Sequence, residues 1–458
     1  MKFIGREKEL AAIKQKLGNE RSECVLLYGR RRVGKSALIK EALRQVDATI
    51  IHYVCLKANF SHNMAGLSQA VAEAFDEPVQ FSQLNKLLEY VYKKARNQKV
   101  VLVIDEYPFL RDDDEAVDSE LQIAVDTWQH ETCLKLILCG SYVEVMKKII
   151  EGGAPLFGRF SEVMRLQPFD YYDTARFFPS KTPEENMELY SIFGGIPFYL
   201  VQIDESLTVE ENAKRLLIPE GSLLEGEIRL QLKAELSKEE NANLVLEKIA
   251  NGIGKYSDIA NSFQGSSGNI SPILNKLAGM GLIEKDSPMN APSSKKQHRY
   301  VICDNLLDFY YSYLFKETSA RSIMSPDDFW NSKIKEKLSV EYLPRKFEQI
   351  AKEYLIRENR AGHIEPPFSS IGRYIYHNKE NRKNGEFDVV TEDEIGFTAY
   401  ECKYKKERIG MEAVNEEKWQ AENLGLKFYR FGFFSKCGFS DEIDKEKYTL
   451  ITLHDMYQ

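Results

Sequence analysis

The 458-residue sequence has no C-x-x-C pair among its seven cysteines and no H-E-x-x-H among its seven histidines. Cysteines scattered in this way argue against structural zinc and for a reducing compartment. No apolar run approaches the ~20 residues of a membrane span. Met1-Lys2-Phe3-Ile4 leads into a charged helix rather than a signal peptide, so a soluble, cytoplasmic protein with no membrane partner is expected. Basic residues are the minority: 62 Lys and Arg stand against 70 Asp and Glu, a net charge of −8. Any nucleic-acid contact must therefore come from local basic patches. What is present is a 43% hydrophobic fraction, ample for folding. At ~150 residues per domain, this length suggests about three domains.

The chain is organised around Cys24–Ser36, CVLLYGRRRVGKS, where an apolar run breaks into a glycine loop. Gly29, Gly34, Lys35 and Ser36 fit the phosphate-loop pattern G-x-x-x-x-G-K-[ST], with Arg30, Arg31, Arg32 and Val33 between the glycines and Ala37 after them. Glycines let consecutive backbone N–H groups curl around a β-phosphate, and the helix that follows aims its positive dipole end there. Lys35 would serve the β/γ-phosphates and the Ser36 hydroxyl a Mg²⁺ ion, so ATP or ADP and Mg are the expected ligands. The context agrees: Cys24–Tyr28 reads as a buried parallel strand, and Ala37–Val46 has a helical apolar period.

Further strands are expected at Thr49–Cys55, Val100–Ile104, Leu134–Cys139 and Val163–Leu166, with helices at Ala65–Phe75 and Phe81–Arg96. Val100–Ile104 delivers Asp105 and Glu106 at its C-terminal end, where open parallel sheets bind ligands. Asp105 would hold the Mg²⁺ shell and Glu106 polarise an attacking water. Arg159 is a candidate for sensing γ-phosphate, within the chain or across a subunit interface, which leaves homo-oligomerisation open. Asp112–Glu115 reads as a solvated loop. Alternating strands and helices over 1–167 imply a parallel sheet covered on both faces. A helical segment, 168–237, follows.

The ordered series FIGREKEL, GRRRVGKS, VLVIDEY, LCGS, GR and GGIP resembles the archaeal-type P-loop ATPases of the STAND/AAA+ group. That resemblance implies an adenine-pocket role for the first element, a γ-phosphate sensor at Ser141, and a lid in which Gly195-Ile196-Pro197 packs on the nucleotide through Pro197.

Residues 238–304 have the order of a winged helix-turn-helix: helices Asn243–Ile249, Tyr256–Phe263 and Ile270–Ala278, then a hairpin Leu282–Lys285 and Arg299–Cys303 around the polar tip Ser287–Gln297. Its third helix offers Asn269, Ser271, Asn275 and Lys276 to a groove, and the wing carries Lys295, Lys296, His298 and Arg299 near phosphate reach. A spacer or protein-binding arm is the alternative use. The aromatic stretch Asn305–Phe315 reads as core within a helical linker, 305–344.

In 345–458, a helix near Arg345–Ile356 carries Glu348, and strands are expected at Ile371–His377, Glu386–Thr391 and Phe397–Lys403. Alternation puts Glu401 and Lys403 on one face and Tyr400, Cys402 and Tyr404 on the other, with Asp388 on a neighbouring strand. An acid, then E-x-K, then an amphipathic helix at Met411–Leu424, resembles the PD-(D/E)XK nucleases. This implies Asp388, Glu401 and Glu348 as metal ligands and Lys403 as the residue orienting water. No proline precedes Asp388, a departure from the motif. Arg382, Lys383, Lys405, Lys406 and Arg408 form a cationic rim suited to a phosphate backbone.

The fold expected is α/β throughout: a P-loop NTPase sheet with helical lid, a winged helix-turn-helix, and a C-terminal restriction-endonuclease-like domain. The expected function is an ATPase coupled to a nuclease-like domain acting on DNA. The alternatives are an ATP-dependent switch or adaptor with an inert nuclease fold that binds DNA or a protein partner, and a DNA-binding regulator.

Overall fold

A computed structural model describes residues 3–111, 116–236, 239–263, 270–294, 296–378, 383–423 and 426–458. The chain forms two compact units. One comprises Met1–Pro168 with Ile196–Phe198 and Gly279–Gly281, and the other comprises the rest.

The first unit is built on strands β1 (Glu23–Tyr28), β2 (Thr49–Val54), β3 (Val100–Asp105), β4 (Leu134–Gly140) and β5 (Glu162–Arg165), in the order β2-β3-β4-β1-β5 with every pair parallel. β1, β3 and β4 are buried along their whole length, which is why they read as unbroken apolar runs rather than alternating ones. Their alternate residues supply two cores. Val25, Leu27, Val101, Val103 and Ile137 pack with Ile13, Leu38 and Ile39 of helices Glu7–Gly18 and Lys35–Leu43. Leu26, Leu102, Ile104 and Leu138 pack with Leu67, Leu88 and Leu121 of helices Phe60–Phe75, Leu84–Lys94 and Ala116–Trp128. The helix expected from Ala65 starts at Phe60, because the Asn59 side chain accepts from the His62 N–H at 2.9 Å and caps it.

The second unit begins with short helices. Thr182-Pro183-Glu184-Glu185 and Thr208-Val209-Glu210-Glu211 each close a reciprocal capping box, which starts Pro183–Phe193 and Val209–Leu217 at those threonines. Helices Glu239–Ala250, Tyr256–Asn261 and Ser271–Gly279 precede the antiparallel hairpin β6 (Ile283–Asp286) and β7 (Arg299–Ile302). Asn305–Tyr313 is buried nearly throughout, as the core reading expects. A helical run from Pro326 to Ala361 then passes through π-helical turns at Trp330–Ile334 and Leu338–Tyr342.

The last sheet contains β8 (Ser370–Asn378), β9 (Lys383–Glu392), β10 (Phe397–Lys403), β11 (Phe428–Ser435) and β12 (Thr449–Thr452), ordered β12-β11-β10-β9-β8. β8, β9 and β10 run antiparallel, whereas β10, β11 and β12 run parallel. Helix Leu343–Ala361 meets one face through Phe347 and Tyr354 against Phe434. Helix Met411–Asn423 meets the other through Val414 beside Phe433 and Ala421 beside Ala399.

One expectation is corrected here. The hairpin tip is not a free wing, because it lies along the exposed edge of β8. The Met289 N–H donates to the Arg373 carbonyl at 2.9 Å, and the Asn290 side chain pairs with both the N–H (3.1 Å) and the carbonyl (2.6 Å) of Ile375. An edge strand presents unpaired backbone groups, and this segment satisfies three of them, at Arg373 and Ile375. Arg299 donates to Asp286 at 2.7 Å and Glu386 at 2.9 Å, and His298 Nε2 sits 3.0 Å from the Pro292 carbonyl, so neither is held out for phosphate. Asn269, Lys295, Arg382 and the run Asp112–Glu115 lie outside the described residues, as does the Lys383 side chain. Among the described residues, no helix is long and apolar enough to cross a membrane.

Candidate functional site

β1 ends at Tyr28, and the loop turns through Gly29 to Gly34 before the helix begins at Lys35. Gly29 is required by space: a Cβ there would stand 2.3 Å from the Leu166 carbonyl oxygen. Gly34, at φ 95°, and Arg32, at φ 67°, adopt left-handed backbone, a region that glycine enters freely and arginine does not. Val33 anchors the loop in the core. Arg30 is buried, Arg31 donates to the Tyr142 hydroxyl at 2.8 Å, and the Arg32 guanidinium lies 3.6 Å from the centre of the Phe198 ring. Pro197 stands beside the loop, 3.7 Å from where a Gly34 Cβ would be. Ser36 and Ala37 are exposed at the loop mouth.

The Lys35 ammonium is buried and folds back on its own loop, donating to the carbonyls of Gly29 and Arg30 at 2.9 Å each. Burial pulls its pKa down, while Cys139, Glu106 and Asp105 pull the other way. The Ser36 hydroxyl donates to Asp105 Oδ2 at 2.8 Å, so a loop residue and a residue at the end of β3 meet. Burial alone would raise the Asp105 pKa. The Cys139 thiol, Ser36 hydroxyl and Glu106 N–H bring the carboxyl below the usual range. Glu106 takes left-handed backbone at φ 53°, a conformation that costs a non-glycine residue energy. Its Oε2 accepts from the Ser141 hydroxyl at 2.7 Å and the Ser141 N–H at 3.1 Å. Six of the residues named from the sequence thus converge: Gly29, Lys35, Ser36, Asp105, Glu106 and Ser141.

Arg159 is placed elsewhere. Its guanidinium grips Asp126 through Nε at 3.0 Å and a second nitrogen at 2.9 Å, and donates to the Phe157 carbonyl. A phosphate-sensing role within this arrangement would first have to break that pair. Sequence reading missed His52 and Cys139, which flank Asp105. His52 was visible as a polar residue inside the apolar run TIIHYV.

The second cluster lies at the C-terminal sheet. The β9–β10 ladder ends at the pair Val389–Tyr400, so Asp388 and Glu401 flank the point where the strands part. Lys403 donates to Glu401. Burial raises the Asp388 pKa, and Glu386 and Glu401 add to it. Burial, with Asp388 and Glu401, does the same to Glu348. Glu417, on the buried stripe Val414–Glu417–Ala421 of its helix, is raised by burial and by Glu401. Lys352 opposes the shifts on Glu348 and Asp388. Glu417 and Lys352 were not singled out from sequence; Glu417 falls at helical spacing from Val414, the one available signal.

Mutually repelling carboxylates are the right chemistry for a divalent cation. Among the described residues, however, no three His, Cys, Asp or Glu side chains stand in metal-holding geometry. The expected triad of Glu348, Asp388 and Glu401 is thus one electrostatic cluster but not a formed chelate, and Glu401 is engaged by Lys403.

Residues 3–203 match a family described as an ATPase domain predominantly from Archaea. Residues 310–420 match another described as archaeal and bacterial proteins of unknown function. An uncharacterized protein of Methanocaldococcus jannaschii is 29% identical over 383 residues, covering 82% of this chain and 83% of that protein. An uncharacterized ATP-binding protein of the same organism is 44% identical over 41 residues, which is 9% of this chain and 70% of that protein. A solved structure, a Walker-type ATPase of Pyrococcus abyssi, matches with a TM-score of 0.50 at 20% identity, covering 68% of this chain and 96% of that one. That last likeness is one of fold.

Proposed function

We propose, from the premise that residues 3–203 form a P-loop ATPase domain of archaeal type, that the chain binds ATP with Mg²⁺, hydrolyses it, and uses nucleotide state to control a C-terminal nuclease-like domain acting on DNA. The observation that carries the first half is the Ser36 Oγ–Asp105 Oδ2 contact at 2.8 Å, with Glu106 held by Ser141 beside it. Loop amides and Lys35 bind the β- and γ-phosphates, Ser36 and Asp105 serve the cation, and Glu106 orients a water toward the γ-phosphorus. A bound Mg²⁺ would neutralise charge on the β- and γ-phosphate oxygens. Lys35 must leave the Gly29 and Arg30 carbonyls to reach a phosphate, so binding exchanges two internal hydrogen bonds for charge-assisted ones.

The second half rests on the acid-rich gap between β9 and β10 and on the E-x-K pair Glu401–Lys403. The three helices and hairpin of 239–302 support a winged-helix reading, and the seating of the tip on β8 favours an arm that holds the last domain over a reader of DNA. The unformed chelate favours a second reading, in which the chain is an ATP-dependent switch whose C-terminal fold binds without cutting.

The test is cleavage of supercoiled, linear and single-stranded DNA with Mg²⁺ or Mn²⁺, with and without ATP, using wild type, Lys403→Ala and Lys35→Ala. Metal-dependent cutting lost in Lys403→Ala establishes the nuclease. ATPase activity without cutting under any condition selects the switch. Nucleotide affinity unchanged in Lys35→Ala would sink the phosphate-loop assignment.

A further inference from the structure

His52 lies on β2, the strand next to β3, and its backbone pairs with Val103 two residues before Asp105. Its Nε2 is buried and makes no hydrogen bond. That nitrogen stands 3.9 Å from Asp105 Oδ2, beyond hydrogen-bond range, and the Asp105 side chain is only 4% exposed. A buried, unpaired imidazole nitrogen normally costs stability, so its retention beside a carboxylate calls for a use.

Asp105 divides its acceptors. Oδ1 takes the Glu106 N–H at 2.9 Å, and Oδ2 takes the Ser36 hydroxyl at 2.8 Å. In the nucleotide reading proposed above, on which this inference rests, the Ser36 hydroxyl must turn toward the cation. The bond that now orients Oδ2 is then lost, and a carboxylate that serves a cation needs another neighbour to hold its orientation. The remaining neighbours of the carboxylate are the Cys139 thiol, already engaged with it, and the imidazole nitrogen, which stands 3.9 Å away without a hydrogen bond.

We infer that His52 is a positioning residue for the cation site: its Nε2–H takes over Asp105 Oδ2 when Ser36 turns away, and so fixes the carboxylate in its cation-bound orientation. This makes the Ser36–Asp105 contact a resting-state bond, exchanged for His52–Asp105 on loading. The partner chemistry is a Mg²⁺–nucleoside triphosphate, and the imidazole acts through Asp105 without touching it. Groups in the shell around a metal ligand typically contribute ~10–100-fold to metal affinity.

The experiment measures binding of a fluorescent ATP analogue to the full chain in EDTA and across a Mg²⁺ titration, for wild type, His52→Phe and His52→Gln. Phenylalanine keeps the ring and removes the donor; glutamine restores a donor at about the reach of Nε2. The expected result is unchanged affinity in EDTA for all three, a Mg²⁺ midpoint raised about tenfold in His52→Phe, and recovery in His52→Gln. A wild-type midpoint in His52→Phe overturns the inference. So does an equal loss in EDTA and Mg²⁺ that glutamine fails to rescue, since that is a folding effect. A wild type whose affinity ignores Mg²⁺ overturns the cation reading itself, which separates the two failures.

Discussion

Replacing Asp286 with alanine isolates what holds the hairpin against the last sheet. Arg373 is almost wholly buried and donates to Asp286 Oδ2 at 2.7 Å, to the Asp286 carbonyl at 3.2 Å and to Glu386 at 3.2 Å. Arg299 reaches the same Asp286 oxygen at 2.7 Å, but its side chain is 36% exposed. The two contacts are unequal. An exposed pair contributes ~0–1 kcal/mol, whereas removing the partner of a buried guanidinium costs ~3–5 kcal/mol because the charge stays behind. Glu386 remains beside Arg373 and softens that loss, which leaves about 3 kcal/mol for Asp286→Ala. Amide exchange across 283–303 reads this directly: if the hairpin opens locally, protection falls by roughly a hundredfold. Asp286→Asn, which keeps an acceptor, should fall between. Exchange within about threefold of wild type would refute the idea that this carboxylate pins the hairpin. Burial tends to raise the Asp286 pKa, but Arg299, Lys352 and Arg373 bring it below the ordinary value. A depressed carboxylate stabilises above its unfolded pKa and loses that contribution as pH falls through the folded one. The hairpin should therefore detach on acidification.

Two further outcomes follow from packing and titration. Gly29→Ala puts a methyl 2.3 Å from the Leu166 carbonyl, so the loop must shift, costing ~1–3 kcal/mol, and nucleotide binding should be lost while the C-terminal sheet keeps its exchange protection; retained affinity in an equilibrium titration contradicts it. Glu353 accepts from the Tyr190 hydroxyl at 2.9 Å and is pushed up to about 7, mainly by burial, with Asp170 adding to it. An acid whose folded pKa is raised gives stability that is full below the unfolded value and declines as pH rises through the folded one. Denaturation midpoints should therefore fall between about pH 4.5 and 7, and Glu353→Gln should flatten that decline; an unchanged slope rejects it.

The first unit was legible because its signals are local. A parallel strand buried on both faces is a continuous apolar run, and a phosphate loop has glycines where the backbone must approach or invert. Residues 100–106 therefore announced both a strand and the two acids at its end. The capped starts of Phe60–Phe75 and Pro183–Phe193 show the limit. Asn59 was readable as a cap only once its turn was known, whereas T-P-E-E carries its own box.

What tertiary structure alone decided concerns partners distant in the chain. His52 and Asp105 are 53 positions apart and meet because β2 and β3 pair in a given register. Arg299 looked like a cation for phosphate until β9 set Glu386 against it and β8 brought Arg373 to the same Asp286 carboxylate, turning a wing into a clasp. Arg159 was equally plausible as a sensor until helix Ala116–Trp128 presented Asp126 to it. Composition and spacing determine which groups a chain owns and which strands and helices it makes. Whether a charged side chain faces solvent, a ligand or an opposite charge depends on long-range packing, because pairing energies fall off within a few ångströms and sequence carries no distance between segments.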